Sequence, residues 1–494
     1  MRIPDEVKFI ISELKKKRFE AYIVGGCVRD FLRGVEPEDW DVATDAKPVE
    51  IGKIFLRSYA DNKFGTVTVL TGSENPKLKE IEITPYRIDE KYTDKRHPDA
   101  IRWAKTIEED LARRDFTINA MAMELRDRSG ALPGIVPGLS LIDPFDGQED
   151  LENKIIRAVG NPEDRFNEDA LRMIRAVRFA TTLDFEIEGK TANAIKKNSP
   201  WLQAISKERI RDELMKIIMS EKVAEGIELL RKLGLLKYII PELEEGYRVT
   251  QNKHHIYECY EHYLRSLDYA AKRKFNKDVR LASLFHDIGK PRTKRGEGPD
   301  ATFYGHEIVS AKMTAQVLQR LRFPKKDIEK TVKLVRYHLF YYNVDEVSDS
   351  SVRRLVRQVG PENMAELLQV RMADRIGSGV PKAEPYKLRH LKYVIEKVSQ
   401  DPISVKMLKV KGTDVMEILK ILPGPKIGQI LDVLLGYVLS EPKKNKKEFF
   451  EKEIKKLGKL SEKELSSLAQ KAKKERETLE MKRDEMTKKK YWVT

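Results

Sequence analysis

The stretch "YIVGGCVRDFLRGVEPEDWDVAT", Tyr22 to Thr44, constrains this chain more than any other. An apolar run ends in the pair Gly25-Gly26, and two aspartates, Asp39 and Asp41, follow on either side of Trp40. A solvated acidic loop has no use for such neighbours, whereas a metal site set into a sheet does. On a strand, residues two apart project from one face, so both carboxylates would point the same way. Hard oxygen ligands grouped like this suit Mg²⁺, which usually takes one or two protein carboxylates together with phosphate oxygens. Two such ions about 3.5–4 Å apart activate an attacking hydroxyl and stabilise a departing pyrophosphate. Glu82 in "IEIT" is the candidate third acid, because Ile81 and Ile83 beside it would face the core. The glycine pair lets backbone N–H groups approach a triphosphate, and Arg29 follows to neutralise charge.

Around that stretch the chain reads as α+β. "AYIVGG" is a short apolar strand, and "GTVTVLTG" and "LKEIEITPYR" alternate with the period of two of a half-buried sheet. In the N-terminal segment, Val7, Ile10, Ile11 and Leu14 mark one face of an amphipathic helix, which does not read as a signal peptide. From about Asn161 onward the pattern turns helical. "NEDALRMIRAVRFATTL" places Leu171, Ile174, Val177 and Phe179 near one face, and "SKERIRDELMKIIMS" follows with Ser206 as its N-cap.

The chain has 494 residues, enough for about two to four domains. Its 94 lysines and arginines against 79 acids give a formal charge of +15, which favours a polyanionic partner or else reflects a Lys/Glu-rich surface. Cys27 and Cys259 are the only cysteines, which excludes a disulfide framework or a cysteine zinc ribbon. No apolar run is long enough to span a bilayer. A soluble protein of a reducing, cytoplasmic compartment is the expectation. From Glu441 to Thr494, 18 basic residues face 11 acidic ones, either a solvated helix or a nucleic-acid contact surface.

Five segments in order, "GGCVRD…DWDVAT", "KFGTVTV", "LARRDFTINAMA", "DPFDGQEDL" and "RFNEDALRMIRAVRFA", resemble the class II tRNA nucleotidyltransferase and bacterial poly(A) polymerase family. The resemblance covers the first 220 residues or so. It implies that Asp39 and Asp41 hold the catalytic Mg²⁺, with Glu82 as third acid, and that Gly26 and Arg29 bind triphosphate. It implies contact of Arg114 with the incoming nucleotide, and of Asp115 and Asn119 near its ribose. The family's E-D-x-x-R motif falls on Glu168, Asp169 and Arg172: Asp169 and Arg172 would read the base edge, Glu168 would orient Arg172, and Arg175 and Arg178 would meet phosphates. Asp169 and Arg172, at i and i+3, are read as neighbours on one helical face. A carboxylate accepting from an exocyclic amine and a guanidinium donating to a ring acceptor would select cytosine and adenine from CTP and ATP.

Within the family, the segment "YRIDEKYTDKRHPDAIRWAKTIEEDLARRD" resembles the loop that helps CCA-adding enzymes switch from C to A. His97 departs from it, standing where many members have a second arginine. The kept F-G-T of "KFGTVTV" argues against a poly(A) polymerase. The resemblance thus implies CCA addition to tRNA, with binding dominated by shape and phosphates and weakened by salt. The alternatives are a poly(A) polymerase, a CC-adding partner enzyme, or an HD phosphohydrolase whose head only binds nucleotide.

Six of the 8 histidines lie between His254 and His338. His286-Asp287 in "LASLFHDIGKP" is accompanied by His262 upstream and by His306, His338 and Asp374 downstream. Such ligands converging from several helices suit a transition metal, which would lower the pKa of a bound water. The set resembles an HD phosphohydrolase domain, which implies action on damaged or cyclic tRNA 3′ ends. The segment "LKVKGTDVMEILKILPGPKIGQILDVLLGYVL" resembles the CCA-adding family's tail domain, with "PGPKIG" as a loop offered to tRNA phosphates. The expected organisation is a β-sheet head over residues 1–150, a helical neck over 151–249, an HD domain over 250–378 and a tRNA-binding tail over 379–494.

Overall fold

The apolar positions of the N-terminal segment come together as read: Val7, Ile10, Ile11 and Leu14 are all buried along the helix Asp5–Lys16. In the computed structural model, residues 2–60, 65–90, 100–125, 138–252, 256–399 and 405–493 are described. The loop centred on His97 and the Phe64 of the F-G-T motif lie outside the described residues.

The strands run β1 (Ala21–Val24), β2 (Asp41–Thr44), β3 (Ser58–Ala60), β4 (Val67–Leu70), β5 (Glu80–Pro85), β6 (Arg87–Glu90), β7 (Ala100–Trp103), β8 (Ala122–Leu125) and β9 (Leu139–Ile142). Seven form one sheet in the order β3-β4-β5-β2-β1-β8-β9, while β6 and β7 make a separate ribbon. Within the sheet β2 and β5 are parallel and the remaining neighbours antiparallel. That parallel pair sets Asp41 opposite Glu82, with Val42 opposite Ile83. The alternation read in "KEIEITP" holds, since Ile81 and Ile83 are buried and Glu82 is exposed. Val24, Ala43, Tyr86, Leu111 and Ala122 pack as one apolar cluster under this part of the sheet.

Beyond the sheet the described residues are mainly helical, apart from a short parallel pair of Ile155–Ile156 with Glu186–Ile187, so the molecule is α+β. It divides into two compact units, one of Met1–Leu339 with Gln369–Pro381, the other of Phe340–Leu368 with Lys382–Thr494. The expected 250–378 segment thus belongs partly to each. In the second unit, Leu434, Phe450, Ile454 and Leu465 share a core formed by the helices Pro425–Ser440, Lys447–Leu457 and Glu462–Lys490. The last of these opens on a capping box between Ser461 and Glu464. In "PGPKIG", Gly424 is the N-cap and Pro425 the first helical residue, and Lys426 donates to the Gly458 carbonyl at 2.8 Å. Ser206 stands at the N-cap of Lys207–Ile218, but its hydroxyl makes no capping bond there. Among the described residues, no helix is long and apolar enough to cross a membrane.

Candidate active site and metal centre

The turn between β1 and the helix Gly26–Leu32 fixes the first half of the site. Gly25 has φ +82° and ψ −137°, a conformation nearly reserved for glycine. A Cβ there would stand 2.7 Å from Nη1 of Arg114 and 3.7 Å from Oδ2 of Asp41. The absent side chain therefore gives the guanidinium its place beside the aspartate. If the expected nucleotidyl transfer takes place here, Gly25→Ala should displace Arg114 and lower kcat/KM for CTP by about 10²-fold. Steady-state kinetics check this, with a melting curve to confirm that the protein stays folded.

Asp41 opens β2, while Asp39 lies on a bend before it. The two carboxylates therefore do not share a strand face, as the spacing had suggested, because the strand starts too late to include both. They remain close enough to act on one another. Burial, then Asp39, pushes the Asp41 carboxyl up to about 7; Arg114 opposes the rise and Glu82 adds to it. Such an excess of negative charge favours a cation. Arg114 is steadied by Asp110, fully buried, at 3.3 Å.

A second group ties the helix Gly26–Leu32 to the helix Leu171–Leu183. The Nη1 of Arg29 donates to Asn119 at 2.8 Å, Asn119 donates to Asp115 at 3.0 Å, and Arg175 donates twice to the other Asp115 oxygen at 2.6 and 2.8 Å. Burial works against the Asp115 charge, yet Arg175, Asn119 and Arg172 hold its carboxyl at about 2. Arg178 pairs with Glu213 at 2.9 Å, and burial together with Arg175 lowers it to about 10. Arg175 and Arg178 are thus each paired with an acid, Asp115 and Glu213 respectively.

Asp169 and Arg172, the pair expected to read the base edge, do not share a single helical face. Glu168 ends the helix Pro162–Glu168, and a new helix, Leu171–Leu183, begins after Asp169 and Ala170. Asp169 sits in the break with extended backbone, φ −139° and ψ 104°. It bonds Arg209 at 2.6 Å, while Arg172 donates to Glu168 at 2.5 Å and to the Arg113 carbonyl at 2.8 Å. Arg209 and Glu213 were missed by sequence reasoning, although both flank the apolar positions Ile210, Leu214 and Ile217 of their helix. Charged residues directly beside the apolar face of this helix were the available signal.

The six HD residues converge. His262 comes from Cys259–Lys272, His286-Asp287 from the end of Lys277–Phe285, His306 from the start of His306–Arg320, His338 from the end of Lys325–Tyr337, and Asp374 from Met364–Gly377. Nε2 of His262 lies 3.0 Å from Oδ2 of Asp287, and Nε2 of His286 3.3 Å from it. Nε2 of His306 and His338 lie 3.1 and 3.4 Å from the other oxygen, Oδ1. His286, His306 and His338 each direct Nδ1 at a carbonyl three residues earlier, Ser283, Phe303 and Val335. That bond leaves Nε2 as the lone-pair donor, the arrangement of metal-ligating histidines. Burial lowers His262 and His338; it also opposes a charge on His286, but Asp287 and Asp374 lift that group to about 10.

The donors fall into two overlapping sets, His262, His286, Asp287 and Asp374, and Asp287, His306 and His338, each with its atoms within 4.8 Å. All six residues expected at this site are therefore brought together, with Asp287 common to both sets. A cavity of roughly 800 Å³ opens onto them, lined also by Lys290, Phe303, Tyr304, Arg371 and Arg375. Lys290, almost fully buried, reaches Asp287 at 2.7 Å, and Arg371 reaches Asp374 at 2.6 Å. Each stands three residues from the aspartate it touches, a spacing that could have marked both.

A sheet carrying such acids beside a glycine turn defines a nucleotidyltransferase head, and comparison with known proteins agrees. Residues 21–157 match the model of the poly A polymerase head domain, 184–246 that of the probable RNA and SrmB-binding site of polymerase A, and 255–377 that of the HD domain. An A-adding tRNA nucleotidyltransferase of Deinococcus radiodurans is 34% identical over 431 residues, 84% of this chain and 90% of that one. A CCA-adding enzyme of Enterococcus faecalis is 31% identical over 450 residues, 90% of this chain and 95% of that one. The crystal structure of the Bacillus stearothermophilus CCA-adding enzyme in complex with CTP superposes with a TM-score of 0.60 at 27% identity, covering 92% of this chain and 98% of the other. The chain belongs to the tRNA nucleotidyltransferase and poly(A) polymerase family.

Proposed function

We propose that this protein adds the 3′-terminal CCA to tRNA from CTP and ATP, without a nucleic-acid template, releasing pyrophosphate. The observation that carries the reading is Asp41 in register with Glu82 on parallel strands, with the Arg114 guanidinium beside it at the Gly25 turn. Similarity over nearly the whole chain to a CCA-adding enzyme supports it. Asp39, Asp41 and Glu82 are the residues that would hold Mg²⁺, which when bound supplies activation of the 3′-hydroxyl and charge neutralisation for pyrophosphate. Gly26 and Arg29 receive the triphosphate, and Arg114 contacts the nucleotide, with Asp115 and Asn119 toward its ribose. Arg175 and Arg178 add to the positive field around the phosphates. Asp169 and Arg172 read the base edge, Arg209 steadying the first and Glu168 the second.

Base reading is directly testable. On tRNA lacking its 3′ end, the native protein is expected to accept CTP and ATP and refuse UTP and GTP. Asp169→Ala removes the acceptor for the exocyclic amine. It should raise UTP incorporation relative to CTP by about tenfold to a hundredfold, the worth of one polar contact to a base. Unchanged selectivity in single-nucleotide incorporation would remove Asp169 from that role.

We further propose that the head (1–150) and neck (151–249) carry addition, that the 379–494 segment with its basic C-terminus contacts tRNA, and that the 250–378 segment hydrolyses phosphate esters at RNA 3′ ends. The paired donor sets and the basic lining of the cavity beside them favour this second activity. Imidazole-rich ligands suit a transition metal there.

A further inference from the structure

Three guanidinium groups from two separate elements meet at one aromatic ring. Phe179, on the helix Leu171–Leu183, is 3% exposed and meets Phe116 edge to face at 5.7 Å. The guanidinium carbon of Arg178 lies 3.6 Å from the ring centroid, that of Arg29 5.2 Å and that of Arg175 5.4 Å. Arg175 and Arg178 share the helix of the ring, whereas Arg29 comes from Gly26–Leu32, at the glycine turn. Like charges this close repel, and the neighbouring acids are divided among them: Asp30 takes Arg29, Asp115 takes Arg175 and Glu213 takes Arg178. A benzene ring adds attraction through its negative faces while leaving the N–H donors free for other partners. An aliphatic side chain of similar bulk would fill the space without that attraction.

We propose that Phe179 is a positioning residue for nucleotide addition: its ring holds Arg29 in the pose that receives the triphosphate and keeps Arg178 and Arg175 in register with it. This rests on the reading of the head as the triphosphate site. Phe179 touches no reacting atom; it acts through Arg29, whose Nη1 is aimed at Asn119 from the same place.

The test separates the electronics of the ring from its bulk. Phenylalanine carrying one, two or three ring fluorines is installed at position 179, which drains the negative face at nearly constant size. KM for CTP is expected to climb stepwise, reaching between about threefold and thirtyfold for the trifluoro form, the range of a desolvated cation–π contact. The kcat should stay within about twofold, since no reacting group is altered. Phe179→Leu should raise KM to a similar extent. A KM that stays flat across the fluorinated series, with loss only in Phe179→Leu, would make the ring a packing element and overturn the inference alone. Failure of the native protein to add any nucleotide to tRNA would overturn it together with the reading on which it rests.

Discussion

Asp41→Asn should lower CMP and AMP addition by about 10³-fold or more while leaving the melting temperature unchanged or raised. The two halves of that expectation have one cause. Asp41 sits between Asp39 and Glu82 with Arg114 as its counter-charge, and its carboxyl is pushed up to about 7, first by burial. In the resting fold this is a repulsive arrangement, and an amide of the same shape relieves it. During addition the same excess charge is what would hold Mg²⁺, and an amide is a far weaker ligand for a hard cation. A rate assay with tRNA and CTP, run beside a melting curve, reads both. Loss of activity accompanied by a large drop in melting temperature would make Asp41 a structural residue instead.

The second large effect concerns the HD centre. Asp287 contacts Lys290, His262, His286, His306 and His338, using one oxygen for each donor set. Asp287→Asn therefore disturbs both sets at once, and bound transition metal is expected to fall to background by elemental analysis. Hydrolysis of 2′,3′-cyclic nucleotide ends should fall with it, by about 10³-fold, because the metals would supply the activated water. Nucleotide addition, which rests on other carboxylates, is expected to persist. A variant that keeps its full metal content would show that Asp287 does not bridge the sets.

Much of this architecture was legible because its signals are local. The alternation around Glu82 fixed which side chains face the core, and β5 bears it out; the helical spacing of Val7, Ile10, Ile11 and Leu14 did the same for the first helix. The histidines were legible as a set by chemistry alone, since few other uses call for so many near one His-Asp pair. What was not legible depends on backbone geometry or on distant partners. Asp39 lies two residues before the strand begins, and Asp169 falls in a helix break that no proline or glycine marks. The partner of Asp169, Arg209, lies forty residues away, and a pairing at that separation is set by how two helices pack. The sharing of Asp287 between two donor sets likewise follows from the approach of five helices, and no spacing in the sequence encodes it.

That the chain builds a complete CCA end is tested most directly by incubating it with tRNA lacking those residues, Mg²⁺, and CTP and ATP singly and together, with products read on a sequencing gel. Two added C with CTP alone and three residues ending in A with both nucleotides is the expected pattern. A single A placed only on tRNA already ending in CC, or a long tract of A, would contradict it.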